Sequence, residues 1–244
     1  MFRTTPNRIG FKIFAICGIT FFALSYAQAV DLYFGEDMGL GELQRLQNHP
    51  NADVASSQFR SHLFGTHAET FDELAYGTPA PLNVHFYSAG TTTVGGGGFV
   101  NTVTFGTNGY GRYPISGNNY WETGSSQFYL DFNKPVSAIG FYAVDVGDFQ
   151  GQLDLTITMV DGTLQDVIIP SVLGAPGGSV LYFGLISPDL AFTHIAMSDT
   201  AQGVDFFGVD NLTVASEPQL HSAVPGPVAG LVFATGMLLR RRRM

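Results

Sequence analysis

Residues 153–159 read Leu-Asp-Leu-Thr-Ile-Thr-Met, and residues 128–132 read Phe-Tyr-Leu-Asp-Phe. In the first stretch Leu153, Leu155, Ile157 and Met159 alternate with Asp154, Thr156 and Thr158. In the second, Phe128, Leu130 and Phe132 alternate with Tyr129 and Asp131. A period of two sends successive side chains to opposite faces of an extended chain, so each stretch predicts a strand with one apolar face. Further strand-like runs cover 31–37, 82–87, 99–105, 137–144, 164–169, 179–186, 192–197 and 204–214, most of them separated by Gly, Pro, Asn or Asp. Many short strands without long intervening helices predict a mainly β fold, an antiparallel β-sandwich of jelly-roll-like form. One or two short N-terminal helices are expected, over 40–48 and 52–63. In the second, Ala55, Phe59 and Leu63 recur every four residues and Asn51 suits an N-cap. The four glycines at 95–98 lack the helix and lysine of a phosphate loop and read as a flexible hairpin connection.

Charge divides the 244 residues into three parts. All twenty Asp and Glu lie between Asp31 and Glu217, with only Arg45, Arg60, Arg112 and Lys134 among them. The central segment therefore carries a formal −16, against −9 for the chain. Such a surface repels nucleic acid and anionic headgroups, and is compatible with calcium, cationic partners or neutral glycans. The single cysteine, Cys17, lies outside this segment, which excludes a disulfide framework or thiolate chemistry within it.

At the N-terminus Arg3, Arg8 and Lys12 precede a twelve-residue apolar run, 13–24, and Ala27-Gln28-Ala29 supplies an A-x-A site. That order is the pattern of a cleavable signal peptide over 1–29, handled by the Sec machinery and signal peptidase. The body is expected over 30–215, a linker over 216–223 and a tail over 224–244. The tail reads Val224-Pro225-Gly226-Pro227, an apolar run over 228–239, then Arg240, Arg241, Arg242 and Arg243. The run is about 18 Å long as a helix, at roughly 1.5 Å per residue. The arginines hold its end on the cytoplasmic side, so the acidic body lies across the membrane.

This tail resembles a PEP-CTERM sorting signal, in which a Val-Pro-Glu-Pro-like motif precedes a short transmembrane helix and a basic cluster. Gly226 stands where that family usually has Glu. The resemblance implies processing by an exosortase in a Gram-negative bacterium that makes exopolysaccharide. It also implies transient inner-membrane anchoring, then residence at the cell surface or in the extracellular matrix. The body resembles a recurrent group of PEP-CTERM proteins through YFGED (33–37), YPISGNNYW (113–121), GFYAVDVGDFQG (140–151), GGSVLYFG (177–184) and FFGVDNLTV (206–214). The resemblance implies an extracellular sandwich and carries no catalytic residue.

Two constellations are candidate sites. Tyr110, Arg112, Tyr113, Tyr120 and Trp121 crowd a Gly- and Asn-rich segment. Aromatic faces there would stack on sugar rings of an extracellular polysaccharide, or the rings cap an open end of the sandwich. Counting back by twos from Val214 and Leu212 puts Asp210 on their inward face. Asp37 and Asp210 are thus candidate shared ligands of a structural calcium, unless a bulge turns Asp210 away or backbone amides satisfy it. Asp145 and Asp148, flanking Gly147, fit a turn or a calcium loop. The sequence holds no G-x-S-x-G, H-E-x-x-H, phosphate-loop or EF-hand pattern. His62 and His67 make a poor metal pair, and His85 and His194 stand singly on strands. The expected function is a non-enzymatic glycan-binding matrix protein. The alternatives are a matrix protein without specific ligand and a polysaccharide-active enzyme.

Overall fold

The computed structural model describes residues 30–124, 128–201 and 203–221. The expected signal peptide and the sorting motif with its apolar run and arginines lie outside the described residues. Among those described, no helix is long and apolar enough to cross a membrane.

Among the described residues thirteen strands make two antiparallel sheets, with one α-helix packed outside them. In chain order they are β1 Asp31–Asp37, α1 Pro50–Ser61, β2 Ala68–Glu69, β3 Leu82–His85, β4 Thr91–Gly95, β5 Phe99–Thr102, β6 Asn119–Gly124, β7 Phe128–Val136, β8 Ala138–Val144, β9 Leu153–Met159, β10 Leu164–Ile168, β11 Val180–Ile186, β12 Phe192–Asp199 and β13 Phe206–Ala215. One sheet runs β1-β11-β8-β13-β6-β5, with β2 also on β13; the other runs β10-β9-β12-β7-β4-β3. From β7 to β13 the chain steps back and forth between the sheets, as a jelly roll does. The expected β-sandwich is therefore the observed fold.

The core lies between the sheets, where Trp121, Phe128, Leu130, Phe141, Leu155, Ile157, Phe183 and Phe207 meet. The alternation in 153–159 belongs to β9, whose polar set faces outward. By contrast β8 and β11 are buried at every position, because their outer face carries a second apolar cluster built on Phe59, Tyr113, Tyr120, Tyr142 and Tyr182. Strands covered on both faces lose the period-two signal. Helix α1 supplies part of that cover. Phe59 rests on Gly140 and Gly184, paired across β8 and β11. A Cβ on either would stand 2.7 Å from the Phe59 ring, so glycine there is what lets the helix close on the sheet.

Several expectations are corrected. Residues 40–48 form a turn and irregular chain rather than a helix. Leu40 and Leu43 are exposed, so that segment has no apolar face to bury. Its polar groups bind other loops instead: Gly41 N–H donates to Gly177 and the Glu42 carbonyl accepts from Gly111. The 95–98 glycines are not a hairpin connection, since β4 and β5 belong to different sheets. They carry the chain across the edge of the sandwich. Gly98, at φ +107, leaves room for the Trp121 indole, whose Nε1 would stand 2.7 Å from a Cβ there. Residues 216–221 are not a free linker. Leu220 bridges to Leu63, Gln219 accepts from Phe64, and His221 donates to His62. The packed body therefore runs past residue 215 to His221.

Candidate functional site

Trp121 is fully buried on β6, opposite Val100 and Val209 in the inter-sheet core. Tyr120, its neighbour, points the other way into the outer cluster, also at 0% exposure. Tyr113 is buried too: its hydroxyl donates to Gly178 O at 2.8 Å and accepts from Leu46 N. Burial pushes the Tyr113 phenol up to about 12 and the Tyr120 phenol further still. A sugar cannot stack on buried rings. Tyr113, Tyr120 and Trp121 therefore leave the expected glycan platform, and cap and fill the sandwich instead. Tyr110 remains at the surface, and Arg112 lies mostly buried beside it, its side chain 12% exposed.

Asp37 and Asp210 do not share an ion. β1 and β13 are separated by β11 and β8, which at about 4.8 Å per strand puts them roughly 14 Å apart. Each carboxylate is also already satisfied. Asp37 accepts from the first amides of α1, Asn51 N at 3.3 Å and Ala52 N at 2.9 Å, so it caps the helix in place of Asn51. Asp210 accepts from Ile115 N at 2.8 Å, Ser116 N at 2.9 Å and Asn211 N at 2.6 Å. A bulge at Asn211, φ 52, breaks the count by twos. Leu212 and Val214 face the inter-sheet core, whereas Asp210 faces the outer side beneath the 115–116 loop. Burial there pushes the Asp210 carboxyl up to about 7 against the pull of its three amides.

Arg112 organises the end of the sandwich. The loop between β5 and β6 runs back over the outer face and sets the guanidinium against two buried acids. Nε lies 3.1 Å from Glu122 and Nη1 lies 3.3 Å from Asp145. The same Glu122 oxygen accepts from Asn101, Asn108 and the Tyr120 hydroxyl. Asp145 also accepts from Gly178 N at 2.8 Å. Burial pushes the Asp145 carboxyl up to about 6, with the Gly178 amide and Arg112 pulling against it. The guanidinium faces the rings of Tyr110 at 5.6 Å and Phe206 at 5.7 Å.

Beside it opens a cleft of about 320 Å³ between Tyr110, Arg112, Phe149 and Phe206, with Val204 and the carboxylates Glu42 and Asp148 on its walls. Tyr110 is 67% exposed, Phe149 56% and Phe206 44%. The loop after β8 is strained: Asp145 and Gln150 hold φ of 74° and 61°, a region that non-glycine residues enter seldom and mostly where surroundings force them. Sequence reading missed Phe149, Val204, Phe206 and Glu42. The one usable signal was Phe149, a large ring in a turn with no strand pattern to bury it.

Under the cleft floor lie more acids. Asp205 is 1% exposed. Asp148 and Asp199 adjoin it, near enough for their charges to act on it. Among the described residues no donor meets these oxygens at full hydrogen-bond geometry (Asp205 Oδ1 and Oδ2, Asp148 Oδ1, Asp199 Oδ2), though the Gly147 amide lies close enough to pull the Asp205 carboxyl down. Burial and mutual repulsion raise the Asp205 carboxyl, and burial raises those of Asp148 and Asp199. Among the described residues no three Asp, Glu, His or Cys side chains by themselves form a group able to hold a metal ion.

No protein-family model matches the chain, and neither does any curated protein. Three solved structures are similar to it, each far in sequence. The K2 cleaved adhesin domain of Lys-gingipain is 13% identical, TM-score 0.39, covering 62% of this chain and 98% of that domain. The CBM22-1 xylan-binding domain of Paenibacillus barcinonensis Xyn10C is 16% identical, TM-score 0.37, covering 64% and 94%. The C-terminal family 22 carbohydrate-binding module of Clostridium thermocellum Xyn10B is 14% identical, TM-score 0.35, covering 66% and 98%. Likeness at this level says nothing about the cleft.

Proposed function

We propose that this chain is an exported, non-catalytic β-sandwich that binds a neutral glycan in the Arg112 cleft. The observation that carries this is three exposed rings, Tyr110, Phe149 and Phe206, around an open cleft that also presents Glu42 and Asp148. An aromatic face covers the apolar C–H side of a sugar ring, and carboxylates accept its hydroxyl protons; a mostly apolar cleft with a few polar groups is the usual form of a ligand site. The acidic surface disfavours an anionic polymer. Asp145 and Asp205, each 1% exposed, have no access to a glycosidic oxygen. That supports holding rather than cleaving. In the same proposal the terminal segments direct the protein outward, with the Val224–Pro227 motif and Arg240–Arg243 read by an exosortase.

A glycan array with wild type, Tyr110→Ala and Phe149→Ala tests the binding. Wild type should bind neutral oligosaccharides and both variants should lose at least tenfold. A blank array, or variants that bind as well as wild type, would leave a structural matrix protein instead. Release of reducing ends from a bound polysaccharide would overturn the non-catalytic part. Unprocessed chain recovered from the cytosol of its host would overturn export.

A further inference from the structure

The two sheets are covered unequally. Helix α1 packs on β1, β11 and β8, and Tyr113 from the loop between β5 and β6 joins the same outer cluster. Among the described residues the outer side of β10-β9-β12-β7-β4-β3 keeps no such cover, and Asp131, Asp166 and Ser198 stand exposed there. Tyr129 of β7 lies flat on that side. Its register partner is Gly95 of β4. A Cβ on Gly95 would stand 2.2 Å from Cζ, 2.4 Å from Oη and 2.6 Å from Cε2 of the ring. Such nearly equal distances mean that the ring lies across the glycine and turns a face outward. His194 of β12 sets its ring beside it, centroids 5.8 Å apart and planes 29° from parallel, and hydrogen-bonds Asp131. On the next strand position Ala196 pairs with both Tyr129 and Thr156, and is too small to rise between them. Beyond it is a hollow of about 280 Å³ lined by Asp154, Thr156, Asp166, Val167, Ile168 and Ser198. There Thr156 Oγ1 donates to Asp166 at 2.8 Å.

We infer that this row, from Gly95 across Tyr129, Ala196 and Thr156 to Asp166, is a second carbohydrate site that takes an internal segment of an extended neutral polysaccharide. It does not rest on the Arg112 cleft. The flat ring covers the apolar C–H side of one sugar, and the hydroxyls and carboxylates of the hollow meet the hydroxyls of its neighbours. The row crosses five strands, four spacings of about 4.8 Å or roughly 19 Å, which is several sugars rather than one. Charge narrows the class further. Lys134 is the single Lys or Arg in the six strands, whereas Asp131, Asp154 and Asp166 point outward, so an anionic polymer is repelled. A protein partner would need an apolar centre to bury, and this face sets threonines and aspartates around its ring.

Affinity electrophoresis of the purified protein tests this, in gels holding hydroxyethyl cellulose, laminarin or galactomannan, with polygalacturonate as the anionic comparison. At least one neutral polymer should retard wild type, and polygalacturonate should not. Tyr129→Ala should weaken the retardation about tenfold or more, the order expected for a lost ring stack, and Tyr129→Phe should keep it. Calorimetric affinity for oligosaccharides of the retarding polymer should climb with length over several sugars. Gly95→Ala, which lifts the ring from the sheet, serves as the second variant should Tyr129→Ala not fold, and should weaken binding as well. Wild type that none of the three neutral polymers retards would overturn the site. So would full binding by both variants, even if they melt lower, because that is the mark of a ring that only packs its sheet. The cleft is read separately through Tyr110→Ala and Phe149→Ala. Binding lost in those two but kept in Tyr129→Ala would remove this site and leave the cleft standing; the reverse pattern would support this site against the cleft.

Discussion

Replacing Arg112 with methionine keeps an apolar stem of similar length and deletes the cation from the buried network. In the wild type the Arg112 side chain is 12% exposed and its guanidinium bonds Glu122 and Asp145, whose side chains are 10% and 1% exposed. Breaking a buried pair from one side costs about 3–5 kcal/mol, because a charge stays behind without its partner. Glu122 keeps three donors from Asn101, Asn108 and Tyr120, and Asp145 keeps the Gly178 amide. The expected loss therefore sits near the lower end, about 3 kcal/mol. It also depends on pH. Asp145 already stands at about 6, and Arg112 is one of the groups holding it down. Without Arg112 its folded value rises further. A carboxyl raised on folding contributes stability present at low pH and lost as pH climbs through the folded value. The deficit of the variant should thus be larger at pH 8 than at pH 5. Urea unfolding of both proteins at the two pH values, in chelator, reads this directly, with the m-value unchanged. A deficit below about 1 kcal/mol at pH 8 would refute the reasoning, since exposed pairs lose no more than that. A deficit that fails to shrink on acidification would also refute it.

Other substitutions separate core from cleft. Trp121→Ala should cost about 3–5 kcal/mol in urea unfolding, whereas Tyr110→Ala, which loses only an exposed ring and its contact with Arg112, should stay within about 1 kcal/mol. Equal losses would mean that the cleft ring is structural. Asp37→Ala should cost about 1 kcal/mol by uncapping α1, and hydrogen exchange should show the loss first in the amides of Asn51 and Ala52. Asp210 rises from its ordinary 3.8 to about 7 on folding, so its contribution is fully present below about pH 4 and lost as pH rises towards 7. Asp210→Asn should remove that slope from the pH–stability curve; identical slopes in the two proteins would contradict a raised carboxyl.

Alternation marked the strands covered on one face, and continuous apolar runs marked β8 and β11, which are covered on both. β7 and β9 show strict alternation, and the observed strands β8, β11, β12 and β13 lie close to the runs read from sequence. β6 was not readable as a strand. Tyr120, Trp121, Glu122 and Thr123 are all buried, so apolar and polar residues follow no period, and adjacent aromatics look the same on a surface as inside. β4, with three threonines and one glycine over Thr91–Gly95 apart from Val94, lacked an apolar stripe altogether. Parity failed at Asp210 for a different reason: a single bulged residue inverts every inference made across it.

The linear order of residues by itself determined the class of fold, the separation of an acidic body from basic extremities, and the absence of thiol chemistry from that body. These follow from composition and short-range periodicity, which need no knowledge of neighbours. The tertiary structure alone decided which aromatics are core and which are surface, that Asp37 caps a helix, and that Arg112, Phe149 and Phe206 meet beside the buried acids Asp148, Asp199 and Asp205. Those groups come from loops far apart in the chain. Their proximity depends on strand order and register, and neither is written in the local pattern of any one segment.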